Sequence, residues 1–289
     1  MKRRFGDRKD GYRLRKADPL FRLIPYIMKD RTDAHVFFED RIYLEKIYKL
    51  IKEMRAEDIK VGFLHIVIAS MIRTISQKPK VNRFVSGKKT YARRELSVSL
   101  AVKKEMSETA EETTIKLFFE PTDTLYDVVN KVNDEVEKNK DVQSENSADK
   151  FNKFITFLPG FLISFTVFIV KFLENRGLLP KSLTKFSPFH SSVFISDLGS
   201  LGINPIYHHI YNFGTNSFFV TFGKRAKEQY IDDDNNVKIR KAMDIKIAVD
   251  ERIVDGFYFA NVIRTLMRTM SNPEQLLTPP KEVVIDDEI

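Results

Sequence analysis

The stretch Asp250-Glu251-Arg252-Ile253-Val254-Asp255-Gly256 decides the reading of this chain. Before it, Met243, Ile245, Ile247 and Val249 alternate with Asp244, Lys246, Ala248 and Asp250. A period of two marks a strand with one buried face. After it, Phe259, Val262, Ile263, Leu266, Met267 and Met270 recur along one helical face, and Pro273 ends the run. The seven residues therefore form a turn between a half-buried strand and an amphipathic helix. They bring Asp250, Glu251, Arg252 and Asp255 close together.

Working outward, Val193 to Ser196 reads as a strand running into Asp197-Leu198-Gly199-Ser200-Leu201-Gly202, and Ser217 to Phe222 as another. Asp232 to Asn236 is a turn. Its three aspartates lack the central Gly and the terminal bidentate Glu of a calcium loop, so a solvated hairpin turn is the expectation. Nearer the N-terminus, residues 19–31 read as a helix opened by Pro19, and 33–39 as a strand. Residues 42–55 form an amphipathic helix with Leu44, Ile47, Ile51 and Met54 on one stripe. Residues 62–77 are almost continuously apolar, a buried helix closed by Pro79. Residues 88–92, 97–102 and 113–119 read as strands. Thr124 caps a further helix, with Asp127 three residues on and Leu125, Val128, Val129, Val132 and Val136 facing inward. Residues 138–150 are polar and read as a loop, the best candidate for disorder. No βαβ rhythm runs through the chain. The expected class is α+β, a two-layer sandwich of a mixed β-sheet with packed helices.

The 289 residues are long enough to bury a sizeable core. With no cysteine, disulfide scaffolds, Cys-ligated zinc, iron–sulfur clusters and a thiol nucleophile are excluded. The net charge of +8 is uneven: residues 1–16 hold eight basic and two acidic residues, leaving +2 for the remainder. A basic arm over 1–16, a main domain over 17–277 and an acidic tail over 278–289 are the expected divisions. No nucleic-acid-binding motif accompanies the arm, so no specific nucleic-acid partner is expected. No apolar run follows the basic N-terminus, as a secretory signal would require, and the reading is cytoplasmic. Phe154 to Val170 carries no charge, but Pro159 and Gly160 shorten the helical part, which runs to Leu173. It is too short to span a bilayer and apolar on all sides. Burial in the core, at a subunit interface or under a lipid-like ligand is the favoured fate, and membrane contact by 154–173 stays open. None of His35, His65, His190, His208 and His209 lies in a metal-binding pattern, so no metal is expected. Adjacent on a strand, His208 and His209 would point to opposite faces.

The turn at 250–256 resembles the active-site signature of the 2-oxo acid dehydrogenase dihydrolipoyl acyltransferases and of chloramphenicol acetyltransferase, Asp-His-Arg-x-x-Asp-Gly. Ile195-Ser196-Asp197-Leu198-Gly199 followed by Gly202 is similar to that family's Ile-Ser-Asn-Leu-Gly turn. Lys80-Val81-Asn82-Arg83-Phe84 resembles its Pro-x-Val/Leu-Asn element, and Asn272-Pro273-Glu274-Gln275-Leu276-Leu277 its Asn-Pro-x-x-Leu ending. The resemblance spans roughly 17–277. It implies a chloramphenicol acetyltransferase-like fold and a homotrimer with active sites between subunits. Coenzyme A is implied as co-substrate, with a small-molecule acceptor. The family's lipoyl domain and subunit-binding domain have no counterpart here, so no lipoyl group is expected on this chain.

The resemblance assigns an oxyanion donor to Ser196 and a loop-holding salt bridge to Asp255. The family's catalytic His is replaced by Glu251. A general base works best with a pKa near the operating pH. Imidazole starts at about 6.5 and a Glu carboxylate at about 4.3, so a carboxylate in this role calls for burial beside apolar groups. Three readings follow: an acyltransferase with Glu251 as base, one using a displaced His208 or His209, or a catalytically degenerate CoA-ester-binding or scaffold homologue.

Overall fold

The computed structural model describes residues 2–103, 112–140 and 156–289. In chain order the strands are β1 (Gly11–Arg13), β2 (His35–Tyr43), β3 (Arg83–Ser86), β4 (Lys89–Arg93), β5 (Leu96–Lys103), β6 (Glu112–Phe119), β7 (Val193–Asp197), β8 (Phe218–Ile231) and β9 (Val237–Asp250). The helices are α1 (Pro19–Ile27), α2 (Glu45–Ala56), α3 (Phe63–Gln77), α4 (Leu125–Lys140), α5 (Gly160–Asn175), α6 (Lys181–Phe186) and α7 (Gly256–Ser271).

The main sheet has the order β2-β9-β8-β7-β5-β6. β7 runs parallel to β5 and β8, and the other pairs are antiparallel. Alternation sorts the side chains by face. Val98, Leu100, Val193, Ile195, Phe218, Val220, Ile245, Ile247 and Val249 point to the main core. α2, α3, α4 and α7 cover that face; α3 has 13 buried residues, and the stripe Ile47, Ile51 and Met54 of α2 is buried as its spacing predicts. Each large aliphatic side chain so buried contributes about 1.5–3 kcal/mol. Two residues cap helices as polar chemistry requires: Thr124 and Asp127 exchange hydrogen bonds at the start of α4, and His65 Nδ1 accepts from Gly62 N at the start of α3. The expected α+β class and two-layer sandwich are what the chain forms.

The opposite sheet face carries Phe194, Phe219 and Ala248, and Ile210 packs there with them. The irregular segment 203–216 crosses this face. Thr221 Oγ1 donates to Ile206 O at 2.6 Å, and Ile210 N donates to His35 Nε2 at 3.1 Å.

The structure differs from the sequence reading in four places. Residues 1–16 are not a free arm. β1 pairs antiparallel with β4 in a three-stranded sheet of order β1-β4-β3, Arg8 is buried with its guanidinium on Asp10, and Arg15 pairs with Asp7. The acidic tail is docked as well: Glu288 O accepts from Arg15 N and Lys16 N, and Asp286 is buried against Arg83. The strand expected to stop at Phe222 continues past an irregularity at Gly223–Lys224 to Ile231, and β9 begins at Val237. The outer halves of β8 and β9 thus form a long hairpin joined at Asp232, whose carboxylate accepts from Asp234 N and Asn236 N. Last, α5 does not enter the core. Phe161, Phe165 and Phe168 are 73%, 61% and 62% exposed, and only Glu174 of the helix is buried. Among the described residues, no helix is long and apolar enough to cross a membrane. Of the loop expected at 138–150, residues 138–140 belong instead to α4, and the rest lies outside the described residues.

Candidate active site

The turn after β9 is held by charges taken out of water. Asp250 is fully buried. Its Oδ1 accepts from Arg252 Nε at 2.7 Å, and its Oδ2 from Arg252 Nη2 at 2.7 Å. Arg252 Nη1 donates to Met28 O and Lys29 O at 3.1 and 3.0 Å, tying the turn to the chain just past α1. Arg31 Nε stands 3.8 Å from Asp250 Oδ2. From the other side, Arg83 Nη1 donates to Ile253 O at 3.3 Å, while Arg83 Nε and Nη2 both reach Asp286 at 2.6 Å. The guanidinia of Arg252 and Arg83 are each held by two hydrogen bonds to one carboxylate, whereas Arg31 donates singly to Tyr211 O and Val85 O.

Asp255 does not make the salt bridge the resemblance assigned to it. It is exposed and caps α7, accepting from Tyr258 N at 2.7 Å, and has no ion pair among the described residues. The ion pair that holds the loop is Asp250–Arg252. Both readings of Asp255 fit an acidic residue before a helix: its carboxylate satisfies one of the orphan N–H groups of the first turn.

Glu251 opens this clamped turn and points to solvent, with no hydrogen bond or ion pair among the described residues. Ser196 lies on β7, half-buried, and its hydroxyl likewise has no partner among the described residues. The loop after it is shaped by glycine. A Cβ on Gly199 would stand 2.4 Å from Gly223 O, and one on Gly223 would stand 2.3 Å from Pro205 Cδ. Gly202 takes a left-handed φ of +75°. Asp197 accepts from Ser200 N at 3.0 Å, and burial pushes its carboxyl above the usual range.

Register gives the separation. Ser196 is opposite Thr221, and Thr221 is opposite Lys246, five residues before Glu251. Two strand spacings across and five residues along amount to roughly 19 Å. One chain therefore does not bring Ser196 and Glu251 together.

His208 is closer to Ser196. It lies in the segment over the outer face, its ring stacked on Phe219 at 4.1 Å and 8°. Phe219 stacks on Phe194, two residues before Ser196 on the same face. Burial lowers the pKa of His208 below its ordinary value. His209 is exposed and meets Tyr211 edge-on at 4.7 Å. The two rings do not point to opposite faces but stack on each other at 4.7 Å, because the segment is not a strand. His35, for which the sequence suggested no role, lies opposite Asp250 and anchors segment 203–216 through Ile210. Its place at the mouth of the turn was hidden in sequence because the contact spans 175 residues. Among the described residues, no cluster of side chains could hold a metal ion.

Residues 182–278 match the family model for 2-oxoacid dehydrogenases acyltransferase (catalytic domain). That segment contains Ser196 and the whole turn. Among solved structures, a probable dihydrolipoamide acetyltransferase from Listeria monocytogenes is similar at 11% identity and TM-score 0.59, over 89% of this chain and 93% of that one. The cubic core of the pyruvate dehydrogenase multienzyme complex follows at 12% and 0.58, over 89% and 88%. Chloramphenicol acetyltransferase gives 9% and 0.50, over 85% and 92%. Among curated proteins, none matches the chain. The chain has the fold of these acyltransferases over most of its length.

Proposed function

We propose that the chain is a CoA-dependent acyltransferase, working as a homotrimer whose active sites lie between subunits. One observation carries this reading. The turn that matches the family's signature is clamped by buried ion pairs, yet at its start it presents Glu251 without a partner among the described residues. A relic turn has no need to hold an unpartnered carboxylate on so rigid a support. Glu251 of one copy and Ser196 of the next then form the site, since within one chain they stand roughly 19 Å apart. Packing against the next copy also supplies the burial that makes a carboxylate an effective base.

In the reaction, Glu251 takes the proton from a thiol, hydroxyl or amine acceptor as the acceptor attacks the thioester carbonyl. Ser196 Oγ donates a hydrogen bond to the oxygen that gains the charge. Collapse breaks the carbon–sulfur bond, the acyl group stays on the acceptor, and the CoA thiolate takes up the proton. A second reading places the base at His208, because it shares a sheet face with Ser196.

The test is thiol release from a panel of acyl-CoA esters, with acceptors, for three variants. Glu251→Gln keeps size and removes the proton acceptor, so activity should fall by ~10²–10⁴. Glu251→His should retain or raise it. An active protein indifferent to Glu251→Gln but disabled by His208→Gln would move the role to His208. No turnover with any ester, and a gain only on Glu251→His, would mark the degenerate homologue.

A further inference from the structure

Between α1, the β3–β4 hairpin and the turn at 251–253 lies a cavity of about 290 Å³. Its wall is cationic. Arg13, Arg22, Lys88 and Lys89 line it without a carboxylate partner among the described residues. Arg83 and Arg252 form part of its floor, already paired with Asp286 and Asp250. Arg15 completes the set, paired with Asp7. Among the described residues, no acidic one lines the cavity. Composition alone does not give such a concentration: Arg22, Arg83, Lys88, Lys89 and Arg252 lie outside residues 1–16, where the net charge is only +2. Nor is it a solvated leader: Arg13 belongs to β1, Lys89 to β4 and Arg22 to α1, so the fold fixes where the charges converge. Like charges held together oppose folding, and an anion placed among them relieves that repulsion. The remaining wall is apolar, from Leu14, Phe21, Pro25 and Ile253.

We propose that this cavity binds a small organic oxyanion carrying at least two negative charges, its charged end on Arg13, Arg22, Lys88 and Lys89 and its carbon skeleton against Phe21 and Pro25. The volume suits a small ligand rather than a macromolecule. Arginine forks and lysine point charges together recognise phosphate and carboxylate oxygens. The proposal does not rest on the acyltransferase reading, because the residues that carry it are not those of the Ser196–Glu251 pair.

The test is calorimetric titration of the whole chain with pyrophosphate and with citrate, against sodium chloride at matched ionic strength. Saturable binding that weakens with added salt is expected. The double variant Arg13→Gln/Lys89→Gln should weaken it at least tenfold; both side chains are exposed and make no hydrogen bond among the described residues, so the fold is kept. The double variant Lys2→Gln/Lys9→Gln removes the same charge outside the cavity and should change affinity less than twofold. Binding of pyrophosphate alone assigns the site to a phosphate ester, and binding of both ligands widens it to polycarboxylates. Displacement of pyrophosphate by coenzyme A would identify the phosphates of an acyl donor as the source, and no displacement a separate ligand. Absence of saturable binding, or equal loss in the two double variants, overturns the proposal.

Discussion

Glu251 and Ser196 have opposite supports. Glu251 stands on a turn fixed by Asp250, Arg252 and Arg83, whereas Ser196 stands on a parallel strand whose exit is set by glycines. Replacing Ser196 by Ala should lower turnover by ~10²–10³, the cost of one oxyanion donor, with little change in acyl-CoA affinity. Steady-state kinetics on that variant read it, and an unchanged kcat would remove Ser196 from the mechanism. Asp286 gives a stability test at the same scale. Asp286→Ala leaves Arg83 buried without its bidentate partner, which typically costs about 3–5 kcal/mol. Urea unfolding measures it, and a loss below about 1 kcal/mol would show that Glu288, 3.2 Å from Arg83, takes over the pairing.

At the scale of elements, burial decided what could be read from sequence. α3 and α7 were placed within a few residues by their apolar content and periodicity, and the alternation over 243–250 found the inner half of β9. The outer halves of β8 and β9 were not read, because Lys224, Arg225, Ala226 and Lys227 are exposed in succession and give no alternation. The turn at 250–256 was legible as a motif, but its clamp was not, since Arg83 and Asp286 lie 170 and more residues from what they hold. Sequence does not separate the two uses of Asp255, because an N-cap and an ion pair ask for the same residue type. A buried polar joint between elements also escaped notice. Glu174 of α5 stands 3.9 Å from His190, and Lys116 of β6 donates to His190 O at 2.7 Å. Burial, with Lys116 and Arg93 nearby, holds His190 at about 3 instead of 6.5, and burial with Arg93 pulls Lys116 down to about 7. As pH falls from 6.5 toward 3, the unfolded chain binds a proton on His190 that the folded chain refuses, so stability falls across that window. Lys116 acts likewise between its ordinary 10.5 and about 7. Scanning calorimetry should show a melting temperature dropping between pH 6.5 and 4, with a shallower drop in His190→Gln. Equal slopes would relieve His190 of this role.

At the scale of the whole molecule, two apolar helices are left uncovered among the described residues. In α1, Leu20, Leu23 and Ile27 are exposed, and in α5, Phe161, Phe165, Phe168 and Phe172. The C-terminal ends of both helices border one cavity, through Pro25 and Lys29 on one side and Lys171 and Glu174 on the other. So large an apolar surface is characteristic of an interface. Light scattering at micromolar concentration should therefore give a trimeric mass, and Phe165→Glu with Phe168→Glu should lower it. A monomer in the unaltered protein would remove both the interfacial site and the burial that Glu251 needs.

The pairing of Arg83 with Asp286 also sets an order of events during synthesis. The two residues are 203 positions apart, so on a growing chain the guanidinium emerges long before the carboxylate that neutralises it. Until then β3 cannot bury Arg83 without leaving a lone charge in the interior, and Ile253 has no fixed donor to rest on. Contacts this distant in sequence form late. The turn bearing Glu251 is therefore clamped from the Arg83 side only once Asp286 has left the ribosome and docked.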